Sequence, residues 1–353
     1  MKKVGIAIVG LNFGRHIINQ IVDGEASEYI ELKAVCDIDE EKAKEFSAKY
    51  SVPYYTDIDE LLKEESILAI GLYTGPSGRA SLLEKIIDAG KDVMTTKPFE
   101  LDCDAALAVL RKADKLGRVI HLNSPGPCLA DDLSLVFSWA EKHDLGQAVA
   151  CQMNVWVRYN EKPDGSWLDD PKRCPVAPVF RLGIYLINDL VSMFGEAEKV
   201  TVVSSRLFTG RPTPDQGQLT ILFKSGLIAT IFASFCIEDG DHYQNGMTLN
   251  YERGTIYRNV GPQRLKKAGD SKAELYLVMG NPHEPERRKI VETTIVTGVS
   301  GQYQWKNFVR AVNGERDGEV TTPEKVVAGL RIIEAMAEAS ENDGVAVVKS
   351  VEI

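Results

Sequence analysis

Hydrophobic positions in the first third of the chain switch repeatedly between two periods. Residues 4–9 form a short β-rich run, and residues 13–22 carry Ile17, Ile18 and Ile21 on one helical face. Residues 31–36 predict a second strand. Residues 39–50 then place Ala43, Phe46 and Tyr50 on one stripe, with acidic residues in the first turn where the helix dipole favours them. A near-continuous apolar run at 67–72 precedes a helix carrying Leu82, Leu83, Ile86 and Ile87, which Ala89 and Gly90 stop. Further strands at 92–95 and 118–122 flank a helix over 104–115. Such βαβ alternation with short connections predicts a doubly wound parallel sheet with helices on both faces and a ligand crevice at the strands' carboxyl ends.

From residue 147 the pattern lengthens. Alternating runs at 149–158, 199–205, 218–223 and 227–235 predict an open, largely antiparallel sheet, one face of it covered by a helix over 179–194. The other apolar face must then be buried elsewhere or remain a large exposed patch. A length of 353 residues suits two cores, and Pro125, Gly126 and Pro127 mark the boundary. The predicted architecture is therefore α/β: a Rossmann domain over 1–124 and an α+β domain for substrate binding and oligomerisation over 125–353. The helix over 323–340 is a candidate to pack back on the first domain.

The turn after the first strand reads Gly10-Leu11-Asn12-Phe13-Gly14. Gly10 permits the tight turn, Asn12 stands at the second glycine position of a dinucleotide fingerprint as the non-glycine residue most tolerant of positive φ, and Gly14 allows close approach to strand or phosphate. Asp37 ends the second strand 27 residues beyond Gly10. A carboxylate there either accepts the adenosine-ribose hydroxyls, which favours NAD over NADP, or caps the helix that follows.

Composition narrows the function classes. A net charge of −10 and no basic stripe argue against nucleic acid as a partner, and the short group Arg264, Lys266, Lys267 reads as a solvated loop. No apolar run reaches the length of about 18 residues that a membrane-spanning helix requires, and the N-terminus lacks a secretory pattern, so a cytoplasmic protein without a membrane partner is expected. Six cysteines without a C-x-x-C pair and five scattered histidines predict reduced thiols and no protein-built metal site.

At the fourth βα unit the chain reads Ala89-Gly90-Lys91-Asp92-Val93-Met94-Thr95-Thr96-Lys97-Pro98. It resembles the Gfo/Idh/MocA family, which includes glucose-fructose oxidoreductase, inositol dehydrogenase and dihydrodiol dehydrogenase. Within this family an A-G-K-x-V strand leads to an E-K-P turn, and the resemblance implies that Lys97 reaches nicotinamide and substrate, with Pro98 beside it and Thr96 replacing the glutamate. It extends to Gly183–Asp189, to the helix from Pro323 and to Gly344-Val345-Ala346-Val347. Thr74 and Pro76 stand in a loop where relatives show T-P-x-x-x-H, which implies cofactor contacts. Where many relatives show D-x-G-x-H-x-x-D, this chain has Arg181, Gly183, Tyr185 and Asn188. Some branches use G-x-Y, and there the tyrosine is the proton donor. Relatives assemble through the sheet's free face, so a homo-dimer or homo-tetramer is implied.

Hydride transfer between nicotinamide C4 and a carbinol carbon needs a group that moves the hydroxyl proton and a cation beside the developing alkoxide. Tyr185 and Lys97 can supply them, while a half-buried core tyrosine and a surface lysine are the structural alternatives. Arg181, Tyr185 and Asn188, spaced i, i+4, i+7, would share one stripe of a helix. Asn188 would bond a substrate hydroxyl. Arg181 would grip a substrate carboxylate or phosphate, or else pair with Asp169, Asp170 or Asp189. Lys172 and Arg173, in the polar loop before the helix, are further substrate candidates. Asn123, at a strand end, either touches substrate or nicotinamide or is an ordinary turn residue. The expected function is an NAD-dependent oxidoreductase acting on the hydroxyl or carbonyl of a sugar, polyol or sugar-derived substrate. Two other readings stand beside it: a silent dinucleotide-binding regulator, and a hydrolase or epimerase using bound NAD transiently.

Overall fold

Strand β1 (Val4–Val9) is buried along its whole length, as the central strand of a doubly wound sheet must be. Helix α1 (Leu11–Val22) buries Leu11, Gly14, Ile17, Ile18 and Ile21 on one face. The alternation continues through β2 (Ile30–Cys36), α2 (Glu40–Tyr50), β3 (Tyr54–Tyr55), α3 (Ile58–Leu61), β4 (Ala69–Leu72), α4 (Arg79–Asp88), β5 (Asp92–Thr95), α5 (Cys103–Lys115) and β6 (Ile120–Leu122). All six strands are parallel, in the order β3-β2-β1-β4-β5-β6. Strand order reverses between β1 and β4, and a crevice for ligands opens at the carboxyl ends on either side of such a switch point. The parallel Rossmann-type sheet expected from the 3.6 and 2 periods is the one observed.

The structure is a computed structural model that describes residues 3–159, 161–239, 244–261, 272–281, 284–315, 321–342 and 344–351. The cationic group Arg264, Lys266, Lys267 lies outside the described residues. Among the described residues no helix is long and apolar enough to cross a membrane.

The remaining elements are α6 (Asp131–Lys142), β7 (Ala148–Trp156), a π-helical turn at Val179–Gly183 that runs into α7 (Ile184–Phe194), β8 (Ala197–Ser205), β9 (Gln216–Phe223), β10 (Ile228–Ser234), β11 (Gln244–Tyr251), β12 (Gly254–Arg258), β13 (Ala273–Asn281), β14 (Glu284–Val296), α8 (Trp305–Val312), α9 (Pro323–Glu341) and β15 (Val345–Val347). Nine strands form one sheet in the order β14-β13-β12-β11-β7-β10-β9-β8-β15. Among the described residues, only the β7/β10 pair of this sheet is parallel. This is the largely antiparallel second sheet that the alternation predicted, extended by β11–β14, which that alternation did not mark.

Two compact units result, one from residues 1–128 with 303–323 and one from 129–302 with 324–353. The segment that returns to the first unit carries α8, whose Trp305, Phe308, Val309 and Ala311 join the core of Val4, Ile6, Ile8 and Leu11. Beyond Pro323, α9 belongs to the second unit. In that unit the π-helical turn lies on β7, β9 and β10. Burial alternates strictly along β9, with Leu219, Ile221 and Phe223 inward. The pairing register places Val203, Ile228, Val345 and Val347 on the opposite face, and all four are exposed.

Candidate functional site

The turn from β1 into α1 is built around one left-handed residue. Gly10 has φ 87° and ψ 89°, and a Cβ there would lie 2.9 Å from both the carbonyl carbon and the carbonyl oxygen of Tyr73. The turn presses against the chain leaving β4 so closely that a side chain is excluded. A Cβ at Gly14 would fall 2.6 Å from Ile8 Cγ2, so this glycine sets the approach of α1 to β1. Asn12 departs from the expectation attached to it. It is the second residue of α1, exposed, and is absent from the positive-φ residues, because Gly10 alone supplies the left-handed turn. Phe13 is exposed, with its ring 5.8 Å from that of Tyr73.

Asp37 is tied to the same turn. Its Oδ2 accepts the Leu11 amide at 2.8 Å and its Oδ1 accepts the Asp39 amide at 3.0 Å, while the Gly10 amide donates to the Cys36 carbonyl at 2.9 Å. Capping of α2 falls to Asp39, whose side chain accepts the Lys42 amide. Each oxygen of Asp37 keeps a second lone pair for another donor. Close by, the hydroxyl of Thr74 is buried without a hydrogen-bond partner among the described residues, and Pro76 is buried beside it in the chain. A buried orphan hydroxyl, a side-chain-free turn at a helix N-terminus and a strand-end carboxylate together fit a dinucleotide.

Lys97 sits on a heavily fastened turn. It is half-buried and followed by a cis peptide to the buried Pro98. Asn123, 3% exposed, accepts from the Lys97 amide and from the Thr96 hydroxyl, both at 3.2 Å through Oδ1. This connects the ends of β5 and β6. Arg79 holds the other side: its guanidinium donates to the carbonyls of Thr96, Pro98, Phe99 and Thr74. Burial brings its pKa down to about 10, with Glu100 working the other way, so the side chain stays cationic at neutral pH. Glu100 in turn accepts the Gly78 amide at 3.1 Å and the Ala80 amide at 2.7 Å, anchoring the start of α4. Neither Arg79 nor Glu100 was singled out from the sequence as part of this turn.

In the second unit Arg181 lies in the π-helical turn at Val179–Gly183, and Tyr185 and Asn188 lie in α7, which continues from it. Tyr185 is half-buried, with its ring against Gly301. Asn188 is buried and points at α9, where a Cβ on Gly329 would fall 2.1 Å from its Oδ1. Arg181 forms a bidentate pair with Glu161, at 2.6 and 2.8 Å, and its guanidinium lies 4.9 Å from the ring centres of Tyr159 and Phe235. It is thus ion-paired, with Glu161 rather than with Asp169, Asp170 or Asp189. Asp169 is bonded instead by Arg211, which also approaches Asp164 and Glu161. Lys172 and Arg173 are exposed in the loop this network holds.

A second cluster was invisible in sequence. Arg258, 2% exposed, bonds Asp132 at 2.7 Å and Asp189 at 3.3 Å, and the hydroxyl of Ser300 donates to Asp189. Burial, and then the charge of Asp132, raise the Asp189 carboxyl to about 6 against the pull of Arg258. Among the described residues no group of His, Cys, Asp and Glu could hold a metal.

Residues 4–124 match the family model described as an oxidoreductase family with an NAD-binding Rossmann fold, and residues 136–257 match the GFO/IDH/MocA C-terminal domain. The chain belongs to the Gfo/Idh/MocA oxidoreductase family. An uncharacterized oxidoreductase of Schizosaccharomyces pombe is 29% identical to this Gfo/Idh/MocA chain over 161 residues, which is 45% of the chain and 43% of that relative. The match therefore spans less than half the length of this curated relative. Solved structures share the fold across nearly the whole chain. A Desulfitobacterium hafniense protein named for NADPH-dependent oxidoreduction superposes with a TM-score of 0.78 at 15% identity, covering 99% of this chain and 98% of its own. The WlbA dehydrogenase of Bordetella pertussis, solved with NADH and UDP-GlcNAcA, gives 0.73 at 15% identity, covering 99% and 100%.

Proposed function

We propose that this Gfo/Idh/MocA chain is an NAD-dependent dehydrogenase, moving a hydride between nicotinamide and the hydroxyl or carbonyl carbon of a sugar, polyol or sugar-derived substrate. The observation that carries the proposal is the fastening of the Lys97 turn by Asn123 and Arg79. A buried arginine that joins four carbonyls is a costly way to hold a loop, and it makes sense where one ammonium must be placed accurately.

Gly10, Asp37 and Thr74 would hold the dinucleotide, with Phe13, Asn12, Gly14, Pro76 and Pro98 around them. The bound nicotinamide supplies the hydride acceptor or donor. Lys97 stabilises negative charge on the substrate oxygen, and the Tyr185 phenol exchanges the hydroxyl proton. Asp37 would accept ribose hydroxyls through its remaining lone pairs and repel a 2′-phosphate, which supports NAD ahead of NADP. Lys172 and Arg173 remain the exposed polar candidates for gripping substrate. Arg181, bonded to Glu161, acts first on the loop around residue 161, and Asn188 acts first on the packing of α7 against α9.

The WlbA ligand, a nucleotide sugar acid, supports a sugar-like substrate class. The test is NADH fluorescence on the purified protein, followed by a panel of sugars, polyols, uronic acids and sugar phosphates read at the nicotinamide absorbance band. NADH binding and turnover of one panel class are expected. Failure to bind a dinucleotide overturns the proposal. Binding without turnover, unaltered in Lys97→Ala, transfers it to a silent regulator.

The proposal includes a cytoplasmic setting, in keeping with six unbridged cysteines. It also includes a homo-dimer or homo-tetramer formed through the outward sheet face that carries Val203, Ile228, Val345 and Val347. Sedimentation velocity of Val203→Lys with Ile228→Lys should then show a smaller species than the unmodified chain.

A further inference from the structure

The segment from Thr297 to Gly301 is fastened at three points inside the second unit. The Gly298 carbonyl accepts the Asp131 amide at 2.7 Å and the Asp132 amide at 3.3 Å, at the start of α6. Two residues on, the Ser300 hydroxyl donates to Asp189 Oδ1 on α7. Gly301 follows with φ +92°, and a Cβ there would lie 3.0 Å from both Cδ1 and Cε1 of Tyr185. Gly301 therefore lies close beside the Cδ1–Cε1 edge of the tyrosine ring, and a side chain at this position would meet both a strained φ and that edge.

Tyr185 and Asp189 are one helical turn apart on α7, so both meet the segment from the same side of that helix. Asp189 is itself oriented from behind. Asp132 on α6 and Arg258 on β12 flank it, Asn245 holds the other nitrogen of Arg258 at 2.9 Å, and the buried Cys151 of β7 lies near enough for its thiol to feel the charge of both Asp189 and Arg258. The bonds at Gly298 and Ser300 tie the segment to both α6 and α7.

We infer that Ser300 and Asp189 are positioning residues for Tyr185: they press the Gly301 backbone against the phenol ring and so hold its hydroxyl in one orientation. The inference rests on Tyr185 as the proton-exchanging group of the proposed reaction. A phenol that exchanges a proton with a substrate hydroxyl must be held within a few tenths of an ångström, and a ring whose Cδ1–Cε1 edge is met by a clamped glycine is restrained without any added side chain.

The test uses the full chain with 3-fluorotyrosine incorporated. The 19F resonance that disappears in Tyr185→Phe belongs to Tyr185, which makes it separable from the other eleven tyrosines. In Ser300→Ala this resonance should shift or broaden beyond its linewidth, and Ser300→Thr, which keeps the hydroxyl, should restore it. The other tyrosine resonances should stay in place. On whichever panel substrate is turned over, Ser300→Ala should lower kcat at least fivefold with KM changed less than twofold. A Tyr185 resonance in Ser300→Ala that superimposes on the unmodified one, with only the melting temperature lowered, overturns the inference and leaves Ser300 a structural residue. Full turnover by Tyr185→Phe overturns the catalytic reading of Tyr185 instead, while the resonance result would still report whether the clamp sets the ring.

Discussion

Asn123 accepts the backbone amide of Lys97 at 3.2 Å, so the residue closing β6 holds the turn that closes β5. Lys97→Ala is expected to lower turnover about 100-fold or more, the usual scale for removing a group that acts on transition-state charge. Asn123→Ala should cost about 1–3 kcal/mol of stability, because the Lys97 amide and Thr96 hydroxyl lose their acceptor in a buried site. Turnover should fall in that variant while Lys97 itself remains. Steady-state kinetics with urea unfolding separates the two effects, and an Asn123→Ala variant that is destabilised but fully active would remove Asn123 from the site.

Gly10→Ala introduces both a strained backbone and a collision with the Tyr73 carbonyl. It is expected to cost about 1–3 kcal/mol and to abolish NADH binding measured by fluorescence titration. Unimpaired binding would show that the turn does not face the cofactor.

Asp37→Asn keeps an oxygen for the Leu11 amide and removes the charge. The ratio of NADH to NADPH affinity should fall about tenfold, equivalent to about 1.4 kcal/mol. An unchanged ratio would make Asp37 a cap for α1 only.

Asp189 links stability to pH. Its carboxyl titrates at about 6 in the folded chain, whereas an exposed aspartate titrates near pH ~4. Over that interval the folded chain binds more protons than the unfolded one, so stability from this group is fullest below pH ~4 and is lost as pH rises to about 6. Asp189→Asn removes the titration. The stability of the unmodified chain relative to Asp189→Asn should therefore decline as pH rises through that window, measured by urea unfolding at stepped pH. A difference that is flat from pH ~4 to ~6.5 would contradict it.

The elements that the sequence made legible are those with local causes. Ile17, Ile18 and Ile21 announce the buried face of α1, and Asp39 announces the start of α2, because both signals lie within a turn or two of the structure they create. The surroundings of Arg181, Tyr185 and Asn188 have distant causes instead. The groups these side chains meet come from Glu161, Gly301 and Gly329, which sequence distance hides. Arg79 is the sharpest case. As a polar residue at the head of a helix it looks solvent-facing, yet its guanidinium is buried against four carbonyls drawn from two separate turns. The strands β11–β14 are defined by pairing along the sheet.

By itself the sequence determined the strands β1, β2, β4, β5 and β6 with the helices α1, α2, α4 and α5, the glycine turn with its strand-end acid, and the lysine-proline turn, because periodicity, φ preference and short connections act over neighbouring residues. Only the tertiary structure decided that Asp37 grips α1, that Asn123 and Arg79 fasten Lys97, that Arg181 is paired with Glu161, and that Ser300 and Gly301 back Tyr185. Those relationships join residues far apart in the chain. A buried charge or hydrogen-bonding group takes whichever partner the packed core brings within about 3 Å.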